Sequence, residues 1–312
     1  MNLKIKYIFL LLCSCMTSSA QYTSEGMVKL NWRLSCQAYT FREFTLVETL
    51  NKLNTLGIEY IEIYPNQTIG GNIEGTTTYQ MDKQKRQQLK ELLKVHGITP
   101  LSYGVVSPEK EEEWKDLFEF AKEMCISMLI SEPAYHLLDL VEELADQYKI
   151  KVAIHNHAAP TRYWDPEIML SRLKGRSSNL GVCADIGHFV RSGIASTEAV
   201  KQLRNRIICL HMKDVNQYGI RVAHDMPWGT GYCDIPQVLR IMEEMGVKSN
   251  IFFTIEYEYN WHHSLPEIRE SIDYFYRITH WMTVLYGKEI CFHNPDVFPV
   301  TDVGKLHLFT IP

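Results

Sequence analysis

The chain of 312 residues has no run of five or more basic residues, and its formal net charge is -5. The electrostatic footprint that holds nucleic acid or an anionic membrane surface is therefore missing, and no nucleic-acid partner is expected. A glycine-rich phosphate loop after the first predicted strand is also lacking, which weighs against an open dinucleotide-binding sheet. Paired cysteine spacings are absent: beyond the first twenty residues Cys36, Cys125, Cys183, Cys209, Cys233 and Cys291 are scattered, so neither a zinc finger nor a disulfide framework is implied. Cys183 and Cys209 fall inside predicted buried strands, where a thiol behaves as a small apolar group. Nor does any proline-, glycine- or serine-rich linker interrupt residues 30–281. With 46% apolar and 22% charged residues, one globular domain with a sizeable core is the economical reading.

The first twenty residues differ from the rest. Lys4 and Lys6 precede an apolar run over 7–12, and Ser18, Ser19 and Ala20 follow. That is the layout of a secretory signal, too short to span a membrane as a stable helix. Residues 12–15, Leu-Cys-Ser-Cys, also resemble a lipoprotein cleavage box in which Cys15 becomes the lipidated first residue. A signal peptide over 1–20 and an exported protein, periplasmic or lipid-anchored, are expected. A lipid on Cys15 is the one membrane attachment anticipated.

From residue 30 onward, short apolar runs alternate with amphipathic segments of helical length. Strands are predicted over 30–39, 58–64, 98–106, 127–130, 151–154, 180–184, 207–210 and 251–255. Helices are predicted over 46–56, 82–96, 109–124, 135–148, 166–173, 196–203, 235–245 and 265–281. Gly57, Gly97 and Gly246 fall just after helices, where a left-handed cap favours glycine. Eight strand and helix pairs in about 250 residues fit a closed (β/α)8 TIM barrel better than an open sheet of five or six strands. The barrel is assigned to 28–282. Residues 283–312, with Pro295, Pro299 and Pro312, lose the pattern and are read as a C-terminal extension.

In such a barrel the active site lies at the C-terminal ends of the strands. The polar residues there are Glu62, Glu132, His155, His157, Asp185, His188, His211, Lys213, Asp214, Glu256 and Glu258. Separations of 30, 26 and 45 residues between His155, Asp185, His211 and Glu256 place each on a successive strand. Two imidazoles and two carboxylates converging at one point suit one divalent ion, Mn²⁺, Co²⁺, Zn²⁺ or Mg²⁺. Asp185, His211 and Glu256 each follow a buried apolar run, where an unpaired polar group would be costly. Glu258 lies on the same face one step farther out, open to solvation. Aromatic residues after strand ends, with Trp164 and Trp228 foremost, are candidates for stacking on a sugar face.

Several of these segments together resemble the sugar phosphate isomerase/epimerase family, the xylose-isomerase-like barrels that include ketose 3-epimerases, inosose dehydratases and, more distantly, type IV apurinic endonucleases. The matching stretches are GIEYIEIYP around Glu62, CADIGH with Asp185 and His188, LHMKD with His211 to Asp214, WGTG from Trp228 to Gly231, and TIEYE with Glu256. The resemblance implies metal ligands at Asp185, His211 and Glu256, with His188 and Glu62 near the substrate. One position departs from it: the epimerases carry a metal-bound glutamate at the end of strand five, where this chain has His155-Asn156-His157. Whether His155 is ligand or base is open at this point.

Two like carboxylates suit proton exchange on both faces of a substrate carbon. With an imidazole replacing one of them, a single-face reaction fits better: isomerisation, or elimination β to a carbonyl and the reverse hydration. His155, His157, Lys213 and Glu256 are the proton-transfer candidates, and Glu62, Glu132, His188, Trp164 and Trp228 the substrate-binding ones. Export and the single lysine among these residues, with no arginine cluster, favour an unphosphorylated keto-sugar or 3-keto-glycoside as the small-molecule partner. The alternatives are a non-catalytic sugar-binding barrel and an endonuclease-like phosphodiesterase. Metal and sugar identity and oligomeric state stay open.

Overall fold

Each predicted apolar run of the central region becomes a strand, and each is hydrogen-bonded in parallel to its barrel neighbours in the computed structural model, which describes residues 22–244 and 251–285. The predicted signal peptide with Cys15, Gly246, Cys291 and residues 286–312 of the expected extension lie outside the described residues. In chain order come α1 (Glu25–Lys29), β1 (Trp32–Gln37), α2 (Leu46–Leu56), β2 (Tyr60–Ile63), the antiparallel pair β3 (Thr68–Gly70) and β4 (Ile73–Thr76), α3 (Lys83–Val95) and β5 (Thr99–Tyr103). Next are α4 (Glu111–Glu123), β6 (Met128–Ser131), α5 (Leu138–Tyr148), β7 (Lys151–His155), α6 (Pro166–Leu173), β8 (Leu180–Asp185) and α7 (Ile186–Arg191). The chain continues with α8 (Ser196–Leu203), β9 (Ile207–Met212), α9 (Ile235–Glu244), β10 (Ile251–Ile255) and α10 (Leu265–Leu285). The closed barrel runs β1-β10-β9-β8-β7-β6-β5-β2, a single-domain (β/α)8 TIM barrel.

Local chemistry accounts for the elements. In α2, Leu46, Leu50, Leu53 and Leu56 are buried on one helical face, the spacing that turns an apolar stripe toward a sheet. Thr45 accepts from Glu48 N while the Glu48 side chain returns to Thr45 N, a capping box, and Gly57 ends the helix at φ 73°. Thr45→Ala is expected to cost about 1 kcal/mol, read as a lower denaturation midpoint with an unchanged slope. The last helix continues to Leu285, past its predicted end at 281, because Met282 still packs at 7% exposure; residues 283–285 thus belong to it and not to the extension.

Two apolar layers result. The larger lies between strands and helices and contains Trp114, Phe118, Phe120, Phe253 and Phe275. A smaller one fills the barrel interior with Leu101, Met128, Ile130, Ala153, Cys183 and Cys209. Side chains alternate along a strand, so Ala153, Cys183, Cys209 and Thr254 each lie two residues before a predicted metal ligand and form a floor of small residues beneath them. Cys183 and Cys209 are register partners on β8 and β9, both buried and free. At the opposite, N-terminal end of the barrel α1 packs against α10, where Tyr22 meets His280 at 5.2 Å. Among the described residues no helix is long and apolar enough to cross a membrane.

Candidate metal centre

The ends of β7, β8, β9 and β10 deliver His155, Asp185, His211 and Glu256 to one point, with one ligand atom from each within 4.8 Å of the others. All four are buried, none more than 6% exposed. Asp185 is oriented by its backbone position: as N-cap of α7 its Oδ1 accepts the His188 N–H at 2.7 Å, which leaves Oδ2 for the centre. Asn156 ties β7 to β8 beyond the ladder, accepting from Asp185 N at 2.9 Å and donating to Asp185 O at 3.0 Å. Of the His155-Asn156-His157 triplet, the middle residue is therefore a backbone clamp.

The two imidazoles present opposite nitrogens. His155 Nε2 lies 3.5 Å from Asp185 Oδ2 and neither atom makes a hydrogen bond, the Asp185 oxygen having the Lys213 ammonium 3.1 Å away as a charged neighbour; the His155 Nδ1 is 3.4 Å from Glu132 Oε1. His211 turns Nδ1 to Glu256 Oε2 at 2.8 Å and Nε2 to the Glu62 carboxylate at 3.2 Å. Glu62 in turn accepts from Ser102 Oγ at 2.8 Å. Buried polar atoms left without partners cost free energy unless something compensates them. An imidazole and a carboxylate oxygen aimed at one spot, with a second such pair alongside, fit a divalent ion of the borderline class.

Lys213 is the resident cation. Its Nζ is 1% exposed as a residue, sits 3.1 Å from Asp185 Oδ2 and 3.3 Å from Glu258 Oε2, and donates to Glu256 Oε2. Gly187 makes room for it, since a Cβ there would lie 2.6 Å from Lys213 Cβ; this is the physical reason for glycine in the CADIGH stretch. Burial alone would lower the Lys213 ammonium, but Asp185, Glu256 and Glu258 hold it well above its usual range. Burial would raise Asp185 and Glu256; His188 and then Lys213 overcome it for Asp185, and Lys213 and then His211 for Glu256, holding both well below the usual carboxylate range. Burial would lower His211, yet Glu62 and then Glu256 keep it well above the ordinary imidazole value. His188 goes the other way: burial dominates and lowers it.

The remaining predicted residues separate into those brought in and those not. His188 borders the centre, Nε2 3.8 Å from Asp185 Oδ2. His157, its side chain 45% exposed, hydrogen-bonds through Nδ1 to Glu132. Glu258 is held inward by Lys213 and, at 3.2 Å, by Arg191. Glu62, expected at the substrate, is fully buried behind His211, because it sits on β2 among inward-facing side chains. Glu132 likewise serves the two histidines rather than an open surface, its side chain 13% exposed. Trp228 does not face the mouth. The Asp214 carboxylate accepts the Gly229, Gly231 and Cys233 N–H groups, each at 2.9 Å, and this pulls the loop inward. The indole is turned to the other side, onto Phe275 of α10, and is 2% exposed; that excludes it as a sugar platform. Trp164 is half-buried in the loop after β7.

Sequence reasoning missed Arg191 and Asp225. Arg191, 7% exposed, donates to Asp225 Oδ1 and to Ala223 O, and its Nη1 is 3.3 Å from His188 Nδ1. The one signal was spacing: Arg191 follows His188 by three residues, one turn of α7. The mouth thus holds a buried guanidinium as well as Lys213, but acids occupy both. Elsewhere on the rim, Tyr39 meets Tyr64 at 5.2 Å and Trp261 at 5.7 Å, and Tyr259 stacks on His224 at 4.1 Å.

Residues 50–278 match the family model described as a xylose isomerase-like TIM barrel. No curated protein sequence matches the chain. Among solved structures, a putative uncharacterized protein from Parabacteroides distasonis ATCC 8503 is 33% identical over 78% of this chain and 98% of its own, with a TM-score of 0.64. A D-tagatose 3-epimerase-like protein is 19% identical over 82% of this chain and 98% of its own, with a TM-score of 0.59. An IolI protein with a bound zinc atom is 19% identical over 83% of this chain and all of its own, 100%, with a TM-score of 0.57. The last two likenesses are of fold.

Proposed function

Because the chain belongs to the xylose isomerase-like TIM barrel family, we propose that it is a divalent-metal-dependent sugar enzyme that removes a proton next to a carbonyl of an unphosphorylated keto-sugar or 3-keto-glycoside. The observation that carries this reading is the convergence of four buried strand-end ligand atoms, with His155 Nε2 free of hydrogen bonds and facing Asp185 Oδ2 at 3.5 Å, and His211 and Glu256 beside them. His155, Asp185, His211 and Glu256 would hold the ion, and the zinc atom of the IolI structure supports a metal on this fold. Bound there, a divalent ion stabilises the negative charge that grows on a carbonyl oxygen as the neighbouring proton leaves.

The protein's own groups divide the remaining tasks. His155 has Nδ1 against Glu132 and Nε2 turned to the centre, so it would serve as a ligand rather than as the base. Glu256 is ionised at neutral pH and can accept a proton. Lys213 stays protonated; it therefore acts as a hydrogen-bond donor and a fixed positive charge, not as a base. On the β7 side His157, its Nδ1 taken by Glu132, has Nε2 as the nitrogen available for proton transfer at the exposed mouth. Unlike groups on the two sides favour isomerisation or β-elimination over symmetric epimerisation. Arg191 and Lys213 are already neutralised by Asp225, Glu256 and Glu258, so neither is free to hold a sugar phosphate.

Incubation of the Mn²⁺-loaded protein in D₂O with a 3-keto-glucoside, and separately with plain ketoses, tests the reading. Bond cleavage is expected for a lyase and deuterium uptake with rearrangement for an isomerase. No exchange and no cleavage with any of these substrates would overturn it.

A further inference from the structure

We infer that Glu132 is a positioning residue whose carboxylate fixes the His155 ring with Nε2 turned to the ion site, so that a histidine can serve at the end of β7. The inference rests on the proposed divalent site. An imidazole offers two nitrogens, and at a strand end nothing in the backbone decides which faces inward. The nearest polar neighbour in sequence, Asn156, is spent on the Asp185 backbone. Glu132 supplies the missing constraint, its Oε1 lying 3.4 Å from His155 Nδ1. Asp185 Oδ2 faces the other nitrogen at 3.5 Å but already pairs with Lys213, so the Glu132 carboxylate at Nδ1 is the contact that holds the ring proton there and keeps the Nε2 lone pair for a metal, the state a ligand requires.

Glu132 is itself fixed on three sides. Its N–H donates to Ser107 Oγ at 2.9 Å, its carbonyl accepts from Arg162 Nη1 at 2.8 Å, and its Oε1 accepts the His157 N–H at 3.1 Å. The same oxygen holds His157 Nδ1, and the two rings stand 4.7 Å apart at 69°. Rotation of His155 about its side-chain bonds would break the contact with Glu132 and aim Nδ1 away from the only carboxylate described near it on the β6 side. The arrangement mirrors His211, where Glu62 backs the opposite nitrogen, so each imidazole of the site has its own carboxylate from a strand or loop outside the ligand set.

Equilibrium dialysis with Co²⁺ or Zn²⁺ on the full chain tests this, together with the Co²⁺ absorption spectrum. Glu132→Ala is expected to weaken binding by about 10- to 100-fold and to change the ligand-field bands. Glu132→Gln, which keeps an acceptor oxygen, should recover most of that loss. In a His155→Glu background the same Glu132→Ala change should cost nothing, since a carboxylate ligand has no tautomer to fix. Unchanged affinity and spectrum in Glu132→Ala, or an equal loss in the His155→Glu background, would overturn the positioning role. So would two bound ions per chain of which Glu132→Ala removes only one, which would make Glu132 a ligand. If the native protein binds neither ion, the metal reading itself falls; ¹⁵N spectra of selectively labelled histidine in the metal-free protein then decide alone, with a protonated Nδ1 on His155 that becomes mixed in Glu132→Ala supporting the orientation and an unchanged tautomer overturning it.

Discussion

Replacing His211 with alanine is expected to weaken binding of Mn²⁺, Co²⁺ or Zn²⁺ by roughly 10²- to 10³-fold and to abolish turnover. The magnitude follows from sharing the ~10–16 kcal/mol of a four-ligand zinc site equally among its ligands. His211 has the largest role because it touches Glu256 with one nitrogen and Glu62 with the other, so its loss also frees two buried carboxylates. The metal-free imidazole is held well above its ordinary value, so an ion must displace a proton to bind. Affinity should therefore fall as pH falls, and calorimetry in buffers of different ionisation enthalpy should show proton release. The sign for stability without metal is opposite. A raised histidine contributes fully below its unfolded value of about 6.5 and loses that contribution as pH rises through the folded value. The chelated protein should thus lose stability on the alkaline side where the loaded one gains affinity. Equal dissociation constants for native protein and His211→Ala would contradict the assignment of the centre.

The second large effect is expected at Lys213. Without metal its ammonium is the one charge that Asp185, Glu256 and Glu258 share, and the stem passes over Gly187 with no room to leave. Lys213→Met keeps the stem and removes the charge. Breaking a buried ion pair by taking one partner away typically costs about 3–5 kcal/mol, so the chelated variant should unfold at markedly lower denaturant. A divalent ion can substitute part of the lost positive charge, and the stabilisation on adding Mn²⁺ should be larger in Lys213→Met than in the native protein. Denaturation curves with and without chelator measure both. A variant as stable as the native chain when metal-free would show that Lys213 is not the compensating charge.

The convergence of His155, Asp185, His211 and Glu256 was legible because three features coincide at each: an apolar run, a polar residue at its end, and a spacing of one strand and helix unit. β-strand alternation then fixes which residues share a layer, and His155, Asp185, His211 and Glu256 fall in one layer above Ala153, Cys183, Cys209 and Thr254. What lay beyond the sequence was set by loops and by side-chain direction. Arg191 and Asp225 meet only because the chain after β9 folds back over α7, with Gly219 N donating to Val190 O at 2.9 Å. Trp228 looked like a mouth residue by position, yet the backbone bonds to Asp214 turn it to the far side of the loop. Glu62 and Glu132 were placed at the right strand ends, but their tasks depend on which nitrogen each histidine turns inward, and no pattern of residue types carries that. The β3 and β4 hairpin and α1 were likewise silent, being short and without a periodic apolar face.

The packing of α1 on α10 sets the molecule's polarity with respect to anything it is attached to. Gly26 lies so close to the His280 backbone that a Cβ there would sit 2.5 Å from His280 N, so glycine is what lets α1 pack this closely on α10. Both ends of the described chain therefore leave from the side opposite His155, Asp185, His211 and Glu256. A linkage made directly to α1 or to the end of α10 would hold the barrel by its base and present the mouth outward to arriving solute.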